Sequence, residues 1–468
     1  MIKAVCALVA IGTLAGCASV GPTYTPPNAA PPSTFINAVG QTQEPASEFW
    51  KAFNDPTLNR LVDQAMSANL DLRVALANLR EARANREAID AAALPGIGAS
   101  ASAARSVNPQ TQAAGSRSAR TGNSLNSGID ANWEVNFFGR VDRARDEAGA
   151  FVDAAEAGVH AAQVIVTGEL ARNYFELRGL QSELSLLRRT LDNQAETVKL
   201  VESRLTAGRG TEFDASRARA LLANVRAAVP PLEASIARTA YRMAVLTGQA
   251  PHAVGYLTNE PAPLPALGPI AAIGTPQTLL RRRPDIKLAE RQLAAAVARV
   301  GLTHTDLFPK VNINGLLGLN AATVSGLVEG AAFRYSLGAS IVYNLFDFGL
   351  VKKRIEAADA RSAAALATYE RTVLVALEET ESALIHYTRT AQQTEQLALA
   401  LRHSEQAASL ARARFDAGVS DFLAVLDADR QVLADRSNLA QAQTASATSL
   451  VGVYKALGGG WIASASTR

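Results

Sequence analysis

The sequence predicts a mixed, mainly helical fold that is internally duplicated, with four β-strands and two hairpins of very long helices. Three observations predict it: a tandem repeat, a heptad seam without proline, and two regions where apolar residues alternate. The repeat comes first, because self-similarity at a fixed offset decides what the structural unit is. Trp133-Glu134-Val135-Asn136-Phe137-Phe138-Gly139 aligns with Tyr343-Asn344-Leu345-Phe346-Asp347-Phe348-Gly349, 210 residues later. The same offset carries Arg204 to Arg414, Ala207-Gly208 to Ala417-Gly418, and Gly248 to Gly458. Upstream, Asp71 pairs with Asp285 and Leu94-Pro95 with Phe308-Pro309 at an offset of 214, so the first copy has a longer loop between Pro95 and Trp133. The copies span residues 61–248 and 278–458, joined by a Pro-rich linker at 249–277 and followed by a tail at 459–468.

Residues 1–16 read as a signal: Lys3 gives a positive start, Ala4 to Thr13 is apolar, and Leu14-Ala15-Gly16-Cys17 follows. The apolar run is too short to span a bilayer as a helix. Small residues before a cysteine resemble a bacterial lipobox. That resemblance implies cleavage before Cys17 and a lipid on its sulfur and amine, with Ala18 favouring the outer membrane. Each buried CH2 of such a lipid contributes about 0.8 kcal/mol, so several chains anchor firmly. Cys6 leaves with the signal, and a single remaining cysteine excludes an internal disulfide. With 46 Lys+Arg against 43 Asp+Glu, the charge balance gives no electrostatic argument for nucleic acid.

Between Pro95 and Gly139, and between Pro309 and Gly349, apolar residues recur every second position. Leu125, Ile129, Ala131, Trp133, Val135 and Phe137 alternate with Asn126, Gly128, Asp130, Asn132, Glu134 and Asn136. Val311, Ile313, Leu317 and Leu319 alternate with Asn312, Asn314, Gly318 and Asn320, and Phe333 to Leu345 repeats the pattern. A weaker, Ala/Ser-rich strand is predicted at 97–107. Segments of this length suit tilted membrane strands, in hairpins at about 97–137 and 310–346.

From Arg140 to Thr206 there is no proline, and Leu170, Leu177, Leu184, Leu191, Val198 and Leu205 keep a seven-residue spacing. That is the seam of a coiled coil, and one helix over this span is about 100 Å long at 1.5 Å per residue. The second copy, about 350–416, is also proline-free, with a weaker seam of Leu397, Leu401, Ala408, Ala411 and Phe415. Turns at Ala207-Gly208-Arg209-Gly210 and Ala417-Gly418-Val419-Ser420 end the two helices, and returning helices follow at about 212–247 and 421–457. Pro230-Pro231 is predicted to kink or break the first returning helix, whereas Ala440-Gln441 in the second is not.

Four strands cannot close a barrel, and an open sheet in lipid leaves unpaired backbone groups at several kcal/mol each. Crossing the membrane therefore requires oligomerisation; a dimer supplies eight strands and a trimer twelve, and the residues alone do not choose. The long helices exceed any bilayer and belong in an aqueous space. Charges on more than one side, such as Arg361, Glu370, Arg371, Glu378, Glu379 and Glu381 among Ala363, Ala364 and Leu377, fit the wall of a hollow cylinder better than a solid bundle.

The whole pattern resembles the outer-membrane factors of tripartite efflux pumps, the TolC-like channel-tunnels, in their lipoprotein branch. Its pieces are the lipobox at 14–17, Phe49-Trp50 with Asp55-Pro56, Arg282-Arg283-Pro284-Asp285-Ile286, the Tyr343–Gly349 motif, and Tyr454-Lys455-Ala456-Leu457-Gly458-Gly459-Gly460-Trp461. The resemblance implies a homotrimer with a twelve-stranded barrel in the outer membrane, a helical tunnel in the periplasm, and an equatorial domain that includes residues 17–60, the linker at 249–277 and the C-terminal tail. It implies passive export of small molecules such as drugs, with a periplasmic adaptor and an inner-membrane transporter as partners. A protein-secretion duct shares this fold, and a lipid-anchored coiled-coil spacer without a pore is the alternative of another class.

Leu423, Asp427 and Arg430 stand at i, i+4 and i+7 on one face of the second returning helix. The resemblance implies that they narrow the periplasmic mouth, as an apolar ring and an acidic ring paired with basic residues. Arg217 stands at the position equivalent to Asp427, so the duplicated site carries opposite charges, and Arg217 or Arg430 is expected to pair with Asp427 in a closed state. The turns bearing Arg204 and Gly208, and Arg414 and Gly418, are the expected adaptor-facing tips. Enzymatic chemistry is not expected. His160, His252, His304, His386 and His403 lack ligand spacing, no phosphate loop or nucleophile elbow occurs, and the only expected non-protein group is the lipid on Cys17.

Overall fold

The computed structural model describes residues 20–27, 31–38, 43–44, 46–109, 119–259, 264–265, 270 and 272–461. The signal, Cys17, much of the Pro-rich linker and the end of the tail lie outside these residues. The chain forms two compact units. Among the described residues, no helix is long and apolar enough to cross a membrane.

One unit comprises the N-terminal stretch up to Pro27, Leu79–Ala155 and Ala289–Tyr369. It holds β1 (Gly96–Pro109), β2 (Ala119–Val135), β3 (Lys310–Ala321) and β4 (Phe333–Val342). These form one antiparallel sheet in the order β1-β2-β3-β4. The register pairs Ala99 with Ile129, Ile129 with Leu317 and Leu317 with Tyr335, so one face is apolar across all four strands. Ile97, Ile129, Leu317, Tyr335, Leu337 and Ile341 on that face are exposed. The other face carries asparagine ladders: Asn126 pairs with Asn320 and Asn132 with Asn314. Asn320 donates to Asn126 Oδ1 at 2.6 Å, and Asn314 donates to Ser340 Oγ at 3.2 Å. Gly128 and Gly318 face each other, and a Cβ at Gly318 would come within 2.5 Å of the Ser127 carbonyl oxygen. Only glycine permits that approach.

The strands stop earlier than alternation suggested, at Val135 and Val342 rather than Phe137 and Leu345. Helix capping wins over strand propensity at both ends. Asn136 Oδ1 accepts from Val141 N at 3.0 Å, and the Asp347 carboxylate accepts from Gly349 N and Val351 N, each at 2.9 Å. The Val351 and Gly349 amides hold the Asp347 carboxyl below its ordinary value.

The second unit comprises Asn28–Asn78, Glu156–Leu288 and Glu370–Arg468. Counting both units, the helices are α1 (Pro56–Ala68), α2 (Leu70–Ala92), α3 (Arg140–Thr206), α4 (Glu212–Ala227), α5 (Val229–Leu246), α6 (Gly255–Asn259), α7 (Pro276–Arg282), α8 (Pro284–His304), α9 (Leu350–Asp416) and α10 (Phe422–Ala456), of which α2, α3, α8 and α9 contribute to both. The equivalent helices α3 and α9 are both 67 residues long and begin 210 positions apart. Positive-φ glycines obey the same offset: Gly139 and Gly349, Gly208 and Gly418, Gly248 and Gly458. The duplication therefore extends to backbone conformation. The first returning helix is broken at Ala228, between α4 and α5, with Pro230 and Pro231 in the first turn of α5. Proline has no N–H to give the preceding turn, and a helix start is where that loss is harmless. The second returning helix, α10, is a single run of 35 residues.

The main core gathers Phe49, Trp50, Phe53, Leu58, Leu61, Leu170, Tyr174, Phe175, Leu177, Met243, Leu257 and Leu450. Leu170, Leu177 and Val198 of the predicted seam are buried. The short motifs have packing roles here. Phe49 stacks on Tyr454 at 5.3 Å. Asp55 caps α1 by accepting from Thr57 N and Leu58 N, and it also accepts a bond from the Tyr174 hydroxyl. Arg283, 8% exposed, donates to the Ala456 carbonyl at the end of α10 and to Asp285 and Glu379. It thus satisfies an orphan helix carbonyl with a buried cation held by two acids. Truncation removes these bonds, leaving the Ala456 carbonyl only the Thr380 hydroxyl at 3.3 Å, and a hydrogen bond to a charged group is worth about 1.5–3 kcal/mol. Arg283→Ala is expected to cost about 2 kcal/mol, read as a lower denaturation midpoint with unchanged helical signal.

Candidate functional site: the paired hairpin tips

The tips are built twice from one plan. Arg209 N donates to Arg204 O at 2.8 Å, and Val419 N donates to Arg414 O at 2.9 Å. With Gly208 at φ 69° and Gly418 at φ 75°, both turns close the preceding helix as Schellman motifs. Thr211 then caps α4 by accepting from Asp214 N, and Asp421 caps α10 by accepting from Ala424 N, again 210 positions apart. Behind the turns lies a separate apolar cluster of Val198, Val201, Ala215, Ala218, Leu221, Val225, Phe422, Val425 and Leu426, drawn from both hairpins.

The sequence-predicted residues converge here. Leu423 is half-buried and Asp427 is exposed on the same face of α10. Arg217 Nη2 lies 3.7 Å from Asp427 Oδ1, and Arg430 Nη1 lies 3.9 Å from the same oxygen. One carboxylate therefore stands between a cation from the other hairpin and one from its own helix. All three are substantially solvated, so each pair is worth at most about 1 kcal/mol. Arg217 also lies over the Phe213 ring at 5.4 Å. At the turns, Arg204 places its guanidinium 4.3 Å from the centre of the Phe415 ring, joining the two hairpins by a cation–π contact. Phe415 in turn meets Phe422 at 5.2 Å. Arg414, Gly208 and Gly418 are exposed. Cys17 lies outside the described residues.

Sequence reasoning missed the bonds that close each hairpin. In the first, Arg219 binds Glu202 at 2.9 Å and Glu212 at 2.8 Å. In the second, Arg412 binds Asp429 at 2.7 Å. Glu202 and Arg412 are equivalent at the 210 offset, as are Arg219 and Asp429, so the two clasps are one bond with its polarity reversed. The offset that paired Arg217 with Asp427 would have found them.

Chemically, the tips hold positive and negative groups in reciprocal places and no assembled nucleophile or base. A family model described as outer membrane efflux protein matches residues 61–249 and 275–459, one match on each copy of the repeat. Outer membrane protein OprJ of Pseudomonas aeruginosa is 32% identical over 463 residues, covering 98% of this chain and 96% of OprJ. The pyoverdine export outer membrane protein OpmQ of Pseudomonas putida is 30% identical over 455 residues, covering 95% and 96%. Among solved structures, the outer-membrane channel OprN aligns with a TM-score of 0.89 at 39% identity, over 95% of this chain and 100% of that one.

If Asp427 ties the hairpins together, Asp427→Ala raises single-channel conductance in planar bilayers, and Arg217→Ala raises it in the same direction. Unchanged conductance in both variants would remove these residues from any gate.

Proposed function

This chain belongs to the outer membrane efflux protein family, and from that premise we propose that it is the outer-membrane exit duct of a tripartite efflux system, through which small molecules leave passively. The observation that carries the proposal is a sheet of four strands with two free edges, in a chain whose helical hairpins are duplicated to matching length. Three copies would close a twelve-stranded barrel, and two features support closure by further copies. Among the described residues, the edge strands β1 and β4 each have a strand neighbour on one side only. Large apolar side chains also stand exposed on the long helices, among them Phe151, Ile165, Leu366, Leu374 and Val375. Neighbouring chains packed along these helices would cover such side chains.

The barrel's apolar face meets lipid and its asparagine face lines water. The helical hairpins continue the conduit in the periplasm, and their tips meet an adaptor that connects them to an inner-membrane transporter. Leu423, Asp427, Arg430 and Arg217 narrow the mouth; Arg204, Gly208, Arg414 and Gly418 form the adaptor-facing turns. A lipid on Cys17 adds an anchor to the strands. The duct performs no covalent chemistry; energy and cargo choice reside in its partners.

Two measurements test this. The purified chain is expected to give stable ion conductance in planar bilayers, and a non-conducting particle contradicts the duct. Cells fed labelled palmitate are expected to label the wild type and not Cys17→Ser, and label persisting in that variant contradicts the anchor.

A further inference from the structure

The two clasps differ in more than polarity. In the first hairpin the partners Arg219, Glu202 and Glu212 are all well exposed. In the second, the Asp429 side chain is 5% exposed while Arg412 reaches solvent. Asp429 is one turn from Val425 and Leu426 of the apolar tip cluster and one turn from Leu433 packed against it. Its Oδ1 accepts from Arg412, but its Oδ2 is buried with no hydrogen-bond partner. The charged groups around it are Arg412 on α9 and, at longer range, Arg436 on α10, itself bound to Glu405. The first hairpin contributes Val198, Val201, Ala215 and Ala218 to that cluster, all apolar.

A carboxylate with one oxygen desolvated and unsatisfied costs free energy that a neutral carboxylic acid avoids. We propose that Asp429 is a proton-binding site that makes the packing of the second hairpin's tip, but not the first, depend on periplasmic acidity. The sign follows from burial. Desolvation raises the Asp429 carboxyl above its ordinary value, and Arg412 opposes this only in part. The packed tip therefore binds a proton more readily than a tip in which Asp429 is hydrated. Its stability is greatest below the ordinary aspartate range and falls as pH rises through the raised value. Acid holds the tip packed, and neutral pH favours states that bring Asp429 to water. Asp427, two residues away, is exposed on the other side of the helix and pairs with Arg217, so a substitution there is separable from one at Asp429.

The inference deepens the gate reading and rests on it for its effect on flow, though not for the proton site itself. Hydrogen exchange on the full-length wild-type protein, corrected for intrinsic rate, tests the site directly. Between about pH 4 and pH 7, a window opening at the unperturbed aspartate value, amides of residues 422–433 are expected to lose protection several-fold. Those of residues 212–225 hold theirs. Equal behaviour of the two tips overturns the proposal. Asp429→Asn, a neutral isostere, is expected to abolish the pH response of 422–433, whereas Asp427→Asn keeps it; a pH response surviving in Asp429→Asn also overturns the proposal. Conductance over the same range reads the gate. If exchange responds and conductance does not, the proton site stands and the gate reading fails.

Discussion

The free edges of the β1-β2-β3-β4 sheet constrain everything else in this molecule. An edge strand presents a row of N–H and C=O groups, and in hydrocarbon no water satisfies them. The register aligns an exposed apolar face across all four strands, which is the surface a lipid-facing sheet requires. Such a sheet cannot end at β1 and β4. It must continue onto another copy, and that need links the strands to the exposed apolar residues of the long helices, which also await neighbours.

Duplication supplies the rest economically. One structural plan, two helices closed by a glycine turn, appears at matching backbone conformation in both halves. Side chains then distinguish the halves. Arg217 opposite Asp427, and the reversed clasps Glu202–Arg219 and Arg412–Asp429, give equivalent positions opposite charge. Opposite charges attract where the hairpins meet, and the carboxylate of the second clasp is buried where the first clasp is wet throughout. A broken first returning helix beside an unbroken second adds a mechanical difference. A repeated wall thereby acquires two kinds of stave.

Much of this was legible in the sequence, because periodicity and offsets are properties of position. The 67-residue helices, the turn glycines and the proline break follow from spacing alone. What was not legible depends on three-dimensional competition. Alternation through Phe137 and Leu345 overran the strands, since it cannot register that Asn136 and Asp347 cap the following helices. Arg283 was visible only as part of a motif; its grip on the end of α10 joins residues 173 positions apart. At the tips, Asp427 and Arg430 shared a face by counting. Asp429 was not singled out, because helical position alone does not say which side of α10 meets the Val198 and Ala218 cluster.

The central claim is that identical copies close one barrel through the edges of β1 and β4. Imaging the purified, membrane-extracted particle tests it most directly. The expected result is threefold symmetry around an open lumen, with β1 of each copy hydrogen-bonded to β4 of the next. A monomer with both edges free, or a closed particle without a lumen, would contradict it.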